Sequence, residues 1–416
     1  MNKVVGVVLA AGKGVRMKSA FPKMLHYLCG RPLINYPIET LRRIGIDKIF
    51  VVVGYKKETL LPYLKEVKII VQKRLLGTGH ALLATKPYLK NFKRTILVIS
   101  GDVPLVREAT LQKLVKQHQS LNSAVTILVA NIQEPRGYGR ILRDKNSKVI
   151  KICEETDLEK GLSGIKEVNS GIYCFKSSLL FRYLKKIKPN PRKKEYYLTD
   201  IIGLMAGEGE KISTLCIDDS EEILGINTRE DLSRAGKVLN KRMVKKLMDK
   251  GVTIVDPLNT YIGEGVEIGK DTIIFPFTVI EPGVSIGRNC RIGPFCHLRE
   301  KTVIGDNVEL GNFVELVRTR MDSFSKAKHL TYLGDACVGK DVNIGAGTIV
   351  ANFDGKKKNK TIIYDKAFIG SGTILISPVK VGKGAVTGAG TVVTRNKDVP
   401  PGETVVGVPA KILTKE

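Results

Sequence analysis

Between residues 262 and 316 the apolar positions of the chain fall into a strict period of six. Ile262, Ile268, Ile274, Ile280, Ile286, Ile292, Leu298, Ile304, Leu310 and Leu316 carry it without a slip. An amphipathic helix repeats its apolar face about every 3.6 residues and a half-buried strand about every two, so neither explains the pattern. A parallel β-helix does: each flat face takes one hexad, and every sixth side chain points inward onto the coil below. Glycine follows the aliphatic residue at Ile268-Gly269, Ile286-Gly287, Ile304-Gly305 and Leu310-Gly311, as a coil corner favours. The pattern predicts a left-handed parallel β-helix of hexapeptide repeats, an architecture that commonly forms the heart of a trimer.

After Leu316 the hexad register lapses through residues 317–329, then resumes near Val338, Ile344 and Val350. A second break, residues 352–360, precedes Ile363, Ile369, Leu375 and Val381. Both breaks are expected to leave the coil as projecting loops, where sites are commonly built.

Residues 1–227 alternate apolar strands with helix-like segments. Val4–Leu9, Lys48–Val53, Lys68–Val71, Thr95–Ser100 and Ala124–Val129 read as buried strands, with helical spacing between them in segments such as Pro32–Ile44 and Thr110–Gln119. Such alternation predicts an α/β domain with a mainly parallel sheet. From Thr228 to Lys250 the pattern is helical. Thr228 and Asp231 form a capping box, and Leu232, Ala235, Leu239 and Leu247 keep one face apolar. The expected organisation is a first domain over 1–227, a helical linker over 228–250 and the β-helix over 251–416.

Composition narrows the function classes. An apolar fraction of 43% and a mean hydropathy near zero describe an ordinary soluble globular protein. No apolar run approaches the roughly 18–20 residues of a membrane span, so no membrane insertion is expected. The apolar start Val4–Leu9 reads as a first buried strand rather than a signal peptide, because glycines and charges follow at once. The net charge of +27 is lopsided, with +4 in residues 251–416 and +23 in residues 1–250. That excess is scattered lysine with short clusters such as Lys185-Lys186 and Arg192-Lys193-Lys194, and no nucleic-acid module accompanies it. A solvated basic surface, attractive to an anionic small substrate, is expected in place of a nucleic-acid partner. Seven cysteines form an odd set without a Cys-x-x-Cys pair or a His-Cys cluster, which predicts a reduced cytosolic protein with no zinc site.

The first strand runs directly into Leu9-Ala10-Ala11-Gly12-Lys13-Gly14-Val15-Arg16-Met17, with Pro22-Lys23 shortly after. Glycines at a strand end let backbone N–H groups approach phosphate, while Arg16 and Lys23 supply charge. In isolation a structural glycine turn would look the same, and neither the dinucleotide fingerprint nor the P-loop is complete. The whole string, however, resembles the signature of the sugar-nucleotide pyrophosphorylases. That family has a Rossmann-like α/β domain and joins a nucleoside triphosphate to a sugar 1-phosphate. Gln72, Leu76-Gly77-Thr78-Gly79-His80, Gly101-Asp102-Val103-Pro104-Leu105, Gly137-Tyr138-Gly139-Arg140, Glu154, Asn169-Ser170-Gly171, Glu195-Tyr196-Tyr197-Leu198-Thr199-Asp200 and Asn227 follow in order. Together they resemble the bifunctional N-acetylglucosamine-1-phosphate uridylyltransferase/glucosamine-1-phosphate N-acetyltransferase family, which makes UDP-N-acetylglucosamine.

The resemblance implies roles residue by residue. Leu9, Ala10, Gly12, Lys23, Gln72, Gly77 and Thr78 would bind the nucleotide, with catalytic Arg16 and Lys23 on the triphosphate and Gln72, Gly77 and Thr78 reading uracil. Gly139, Glu154, Asn169, Thr199 and Asn227 would surround the sugar, and Asp102 with Asn227 would hold Mg²⁺. These residue types suit the chemistry. The sugar phosphate is itself the nucleophile, so the protein must align polyanions and neutralise charge rather than supply a covalent Ser or Cys. A strand-end carboxylate is the hard oxygen ligand that Mg²⁺ prefers. Ser100 stands where the family usually has an aromatic residue before Gly-Asp.

Downstream, His329-Leu330-Thr331-Tyr332-Leu333-Gly334-Asp335 and Val342-Asn343-Ile344-Gly345-Ala346-Gly347-Thr348 resemble the acetyltransferase core of the same family. Acetyl transfer from coenzyme A needs a base as the amine attacks the thioester, and histidine suits that task. By itself a histidine beside a β-helix is an ordinary polar residue; the resemblance makes His329 the base. It assigns Arg299, Tyr332, Asn343 and Lys358 to the acetyl acceptor, and Asn352, Phe353, Ser371 and Ala389 to acetyl-CoA or the transition state. Three departures stand out. Val317 replaces a phosphate-binding lysine, Phe353 replaces a tyrosine, and Gly407 stands in place of a coenzyme A arginine in a tail of the general hexapeptide acyltransferase kind. Arg318 could compensate for Val317, although neighbours on a strand point to opposite faces.

The leading expectation is a cytoplasmic, Mg²⁺-dependent homotrimer that takes UTP, amino-sugar 1-phosphates and acetyl-CoA. One alternative is a monofunctional sugar-1-phosphate nucleotidylyltransferase whose β-helix is non-catalytic or altered in specificity. Another is a nonenzymatic sugar-nucleotide sensor.

Overall fold

The structure is a computed structural model, and it describes residues 4–92, 94–159 and 161–413. The chain divides into two compact units, Met1–Gly236 and Lys237–Glu416.

The first unit is built on a nine-stranded sheet. Its main path runs Ile212–Ile217, Val125–Asn131, Glu167–Lys176, Thr95–Ser100, Val4–Ala10, Ile49–Val53 and Lys68–Val71. Neighbours are parallel except at Glu167–Lys176, which is antiparallel to both of its partners. Arg140–Arg143 and Val149–Cys153 form an antiparallel ribbon beside it. The five strands read from the sequence are all present. Glu167–Lys176, Ile212–Ile217 and the two strands of the ribbon complete the nine; Asn169, Ser170 and Gly171 interrupt the apolar run that would have marked Glu167–Lys176. Alternate residues feed two cores: Val5, Val7 and Leu9 pack with Leu82, Leu180 and Ile201, while Val4 and Val8 pack with Ile38, Leu41, Leu111 and Leu114. A sheet covered on both faces leaves the carboxyl ends of its parallel strands as the open edge, the usual place for a ligand.

The helix Arg229–Met248 opens with the expected reciprocal cap. The Thr228 hydroxyl accepts from the Asp231 N–H at 3.1 Å, and the Asp231 carboxylate accepts from the Thr228 N–H at 2.8 Å. The division between the two units falls within this helix, at Gly236.

The second unit is a parallel β-helix of short strands on three faces. Ile274 stacks on Ile292 and then Leu310, Ile280 on Leu298 and Leu316, and Ile268 on Ile286 and Ile304. All of these side chains are buried in one continuous core, which also takes Cys290 and Cys296. Residues 317–329 do not project as a loop, contrary to the expectation from the period. Ile304 pairs with Met321, Leu310 with Ala327 and Leu316 with Leu333, each seventeen positions on instead of eighteen. The coil has dropped one residue at the corner between Leu316 and Met321. There the buried Thr319 hydroxyl donates to the Leu333 carbonyl at 2.9 Å and accepts from the Ala336 N–H at 3.3 Å. Met321 and Ala327 continue the inward line, so a count of six misses them although the stack is unbroken. The second break does leave the coil: Val338 pairs with Ile363, and the intervening residues 352–360 close into a small hairpin through a Phe353–Lys358 bridge.

Candidate active sites

In the first unit, the ends of Val4–Ala10, Lys68–Val71 and Thr95–Ser100 open onto a cavity of about 850 Å³. Leu9, Gly12, Arg16, Lys23, Gln72, Gly77, Thr78, Asp102 and Glu154 all line it. Ala10, Gly139, Asn169, Thr199 and Asn227 do not line it, but Thr199 and Asn227 each lie one contact from a residue that does, and Asn169 is tied to Gly139. The Thr199 hydroxyl donates to Glu154 at 2.6 Å, the Asn169 N–H donates to the Gly139 carbonyl at 2.9 Å, and Asn227 Oδ1 accepts from Arg16 at 2.9 Å. The loop geometry depends on Gly14. Its φ is +62°, and a β-carbon there would sit 2.6 Å from Cβ of Lys23, so only glycine lets the turn close over that lysine.

The polar groups at the strand ends form one network. Lys23 Nζ donates to Asp102 Oδ2 and, at 3.1 Å, to Asn227 Oδ1, while the Ser100 hydroxyl donates to Asp102 Oδ1 at 2.7 Å. Burial alone would raise the Asp102 pKa, but the Lys23 ammonium and the Ser100 hydroxyl more than reverse it and hold the carboxyl below its usual range. Glu154 is moved the other way: burial lifts its pKa despite the hydrogen bond from Thr199. Asp102 is thus held in its ionised form, whereas burial works against the charge on Glu154. Gln72 is fixed as well, its Nε2 lying 3.0 Å from the Gly77 carbonyl and 2.9 Å from His80 Nδ1. Motif reading gave His80 no role and noted Ser100 only as a departure from an aromatic residue; a short polar residue two before the metal-type Asp was the available signal that Ser100 is its partner.

No group of three or more His, Cys, Asp or Glu suited to a metal occurs among the described residues. The donor pair nevertheless fits a hard cation, because a carboxylate oxygen and a carboxamide oxygen are turned onto one point that the Lys23 ammonium fills.

In the second unit the candidates fall at two corners of the coil. His329 lies in the strand Lys326–Gly334, and the backbone links Ala346 to Gly372 and Ser371 to Gly390 on successive coils. His329, Ala346, Ser371 and Ala389 therefore share one column at one corner. His329 is exposed, and no hydrogen bond engages its ring among the described residues. Asn343 lies round that corner, beside Lys326 and Phe368. The opposite corner, roughly 15–20 Å away along an extended strand, carries Arg299, Val317, Asn352, Phe353 and Lys358, with Tyr332 on the face between. Arg299 donates to Glu315 at 2.9 Å and lies 3.7 Å from Glu281. Asn352 Nδ2 donates to Asp335 at 2.5 Å, beside Gly334, where a β-carbon would meet the Tyr332 hydroxyl at 2.6 Å. Arg318 is committed: it donates to both oxygens of Asp335 at 2.6 and 2.8 Å. Val317 is buried, so neither residue presents a free cation at this position.

Family comparison accords with both halves. Residues 5–222 match the nucleotidyl transferase family. Residues 259–300 and 283–318 match the bacterial transferase hexapeptide (six repeats), and residues 360–395 the hexapeptide repeat of succinyl-transferase. The chain is 42% identical to the bifunctional protein GlmU of Pelobacter propionicus, covering 98% of this chain and 96% of that one. It is 42% identical to GlmU of Carboxydothermus hydrogenoformans over 95% of each, and 43% identical to GlmU of Thermosipho africanus over 99% and 96%. At this identity, over nearly the whole of both chains, the protein belongs to the bifunctional GlmU family.

Proposed function

We propose that the protein acetylates glucosamine 1-phosphate with acetyl-CoA and then transfers UMP from UTP to the N-acetylglucosamine 1-phosphate formed, releasing pyrophosphate. The observation that carries this reading is the cavity in which Arg16, Lys23, Asp102 and Gln72 converge at the strand ends, with Asn227 bonded to Arg16 and Lys23 beside it. A phosphate oxygen of the sugar attacks the α-phosphorus of UTP as the bond to pyrophosphate breaks, and no proton transfer is required. Arg16 and Lys23 supply positive charge where it builds on the transferring and departing phosphates. Gln72, its amide nitrogen engaged, presents Oε1 as the acceptor for the base. Glu154, one of whose oxygens accepts from the Thr199 hydroxyl, can accept from a sugar hydroxyl through the other. Asp102 and Asn227 would hold Mg²⁺, which would supply positive charge to the phosphates.

In the β-helix, His329 takes the proton of the attacking sugar amine as the amide bond forms and the coenzyme A thiolate leaves. Within one chain the acceptor residues at the Arg299 corner lie too far from His329 for a small sugar to touch both. A homotrimer, in which a neighbouring chain completes the site, is therefore part of the proposal. No helix among the described residues is long and apolar enough to cross a membrane, and the proposed location is the cytoplasm. The engaged Arg318 beside Val317 favours a second reading, in which the β-helix acetylates another acceptor or none.

Two variants separate the halves. Asp102→Asn is expected to abolish pyrophosphate release from N-acetylglucosamine 1-phosphate and UTP while coenzyme A release from glucosamine 1-phosphate continues; His329→Ala should do the reverse. Coenzyme A release that persists in His329→Ala would remove His329 as the base.

A further inference from the structure

We propose that Lys23 is a built-in counter-ion that occupies the divalent-cation position until nucleotide arrives. Its ammonium is buried and bridges two oxygens of different residues, Asp102 Oδ2 and Asn227 Oδ1. These oxygens are the pair assigned above to the metal, and the inference rests on that reading. Arg16 donates to the same Asn227 oxygen at 2.9 Å, so two cations already share it. The other Asp102 oxygen is held by Ser100, which leaves Oδ2 as the free ligand atom and Lys23 as its occupant. A buried carboxylate without a partner is costly, and Lys23 removes that cost in the empty protein.

Lys23 and a divalent cation cannot occupy this point together, since like charges at contact distance repel strongly in a partly buried site. Lys23 must release both oxygens before they can ligate a metal, and its ammonium then needs a new anionic partner. The triphosphate supplies one. The same side chain therefore serves twice, first as a placeholder and then as a phosphate ligand. Metal and nucleotide binding become mutually dependent without any movement of the backbone. By linkage, each ligand should strengthen the other by the same factor.

The test is Mn²⁺ binding to the full-length protein by electron paramagnetic resonance, with no nucleotide present. Lys23→Met removes the competitor, and Mn²⁺ should bind roughly tenfold or more tightly than to the wild type. Lys23→Gln, which keeps a neutral donor, should fall between. Adding a non-hydrolysable UTP analogue should tighten Mn²⁺ binding strongly in the wild type and much less in Lys23→Met. Thermal melting follows the same order, with Mn²⁺ alone stabilising Lys23→Met more than the wild type. Mn²⁺ binding no tighter in both Lys23 variants overturns the inference. Asp102→Asn distinguishes the two levels. If it loses Mn²⁺ binding while the Lys23 variants show no gain, only the placeholder role fails; if it binds Mn²⁺ as the wild type does, the metal assignment fails and the inference with it.

Discussion

Replacing Met321 by alanine tests whether the coil continues through residues 317–329. Met321 is fully buried, stacked between Ile304 on the preceding coil and Val338 on the next. Truncation removes three heavy atoms from a packed stack whose neighbours are held by ladder hydrogen bonds and cannot close in. Transfer and cavity terms together put the cost at about 2–5 kcal/mol. In a projecting loop the same change would cost no more than about 0.5 kcal/mol. Arg320, one residue away, is the control: its side chain is largely exposed and its ion pair is with neighbouring Asp322, so Arg320→Ala should cost less than about 1 kcal/mol. Met321→Leu, nearly equal in volume, should cost less than about 1.5 kcal/mol. Urea unfolding followed by far-UV circular dichroism reads all three. Equal midpoints for Met321→Ala and Arg320→Ala would refute the seventeen-residue coil. The register also places His329 beside Asn312 in the ladder and in line with Ser371, so the acetyl site depends on the same packing.

Other consequences are equally open to measurement. Because Arg318 is held by Asp335, Val317→Lys should supply a missing phosphate contact and lower KM for glucosamine 1-phosphate about tenfold in a coenzyme A release assay; an unchanged KM would mean another cation serves. His118 is buried with Nδ1 3.0 Å from the Thr126 hydroxyl, and burial, with Lys176 nearby, lowers its pKa to about 4. The unfolded chain, titrating near 6.5, then binds the extra proton first. Stability of the first unit should be fully present above about pH 6.5 and fall by on the order of 3 kcal/mol as pH drops towards 4. His118→Gln should flatten that slope in urea titrations across this range, and an unchanged slope would assign it to other groups.

Much of this was legible in the sequence because it is written in periodicity. The ten hexad positions turn one repeating face to a core and leave a repeating pattern, while strands such as Val4–Ala10 and Ile49–Val53 are buried on both faces and leave short apolar runs. The drop to seventeen residues was not legible, since losing one corner residue moves Met321 and Ala327 out of a count of six while leaving both facing inward. The antiparallel strand Glu167–Lys176 was hidden by its polar centre, where Asn169 donates to the Tyr173 hydroxyl and Ser170 to the Leu128 carbonyl within the sheet. At the strand ends, most of the residues that the motifs assigned to the nucleotide line one cavity. Ser100 stands two residues from its partner Asp102, but Lys23 and Asn227 are far away in the chain, and only the fold joins them to it in one network. Sequence likewise left Arg318 free to replace the lysine lost at Val317. Its engagement with Asp335 is a contact between coils that no local pattern records.

The bifunctional assignment is tested most directly by one coupled assay on the purified protein. Glucosamine 1-phosphate, acetyl-CoA, UTP and Mg²⁺ are supplied together, and free coenzyme A and pyrophosphate are followed separately. Coenzyme A should appear first and pyrophosphate after a lag, and omitting acetyl-CoA should suppress both. Pyrophosphate that forms only from pre-acetylated sugar, with no coenzyme A released from glucosamine 1-phosphate, would contradict the account and leave a nucleotidyltransferase alone.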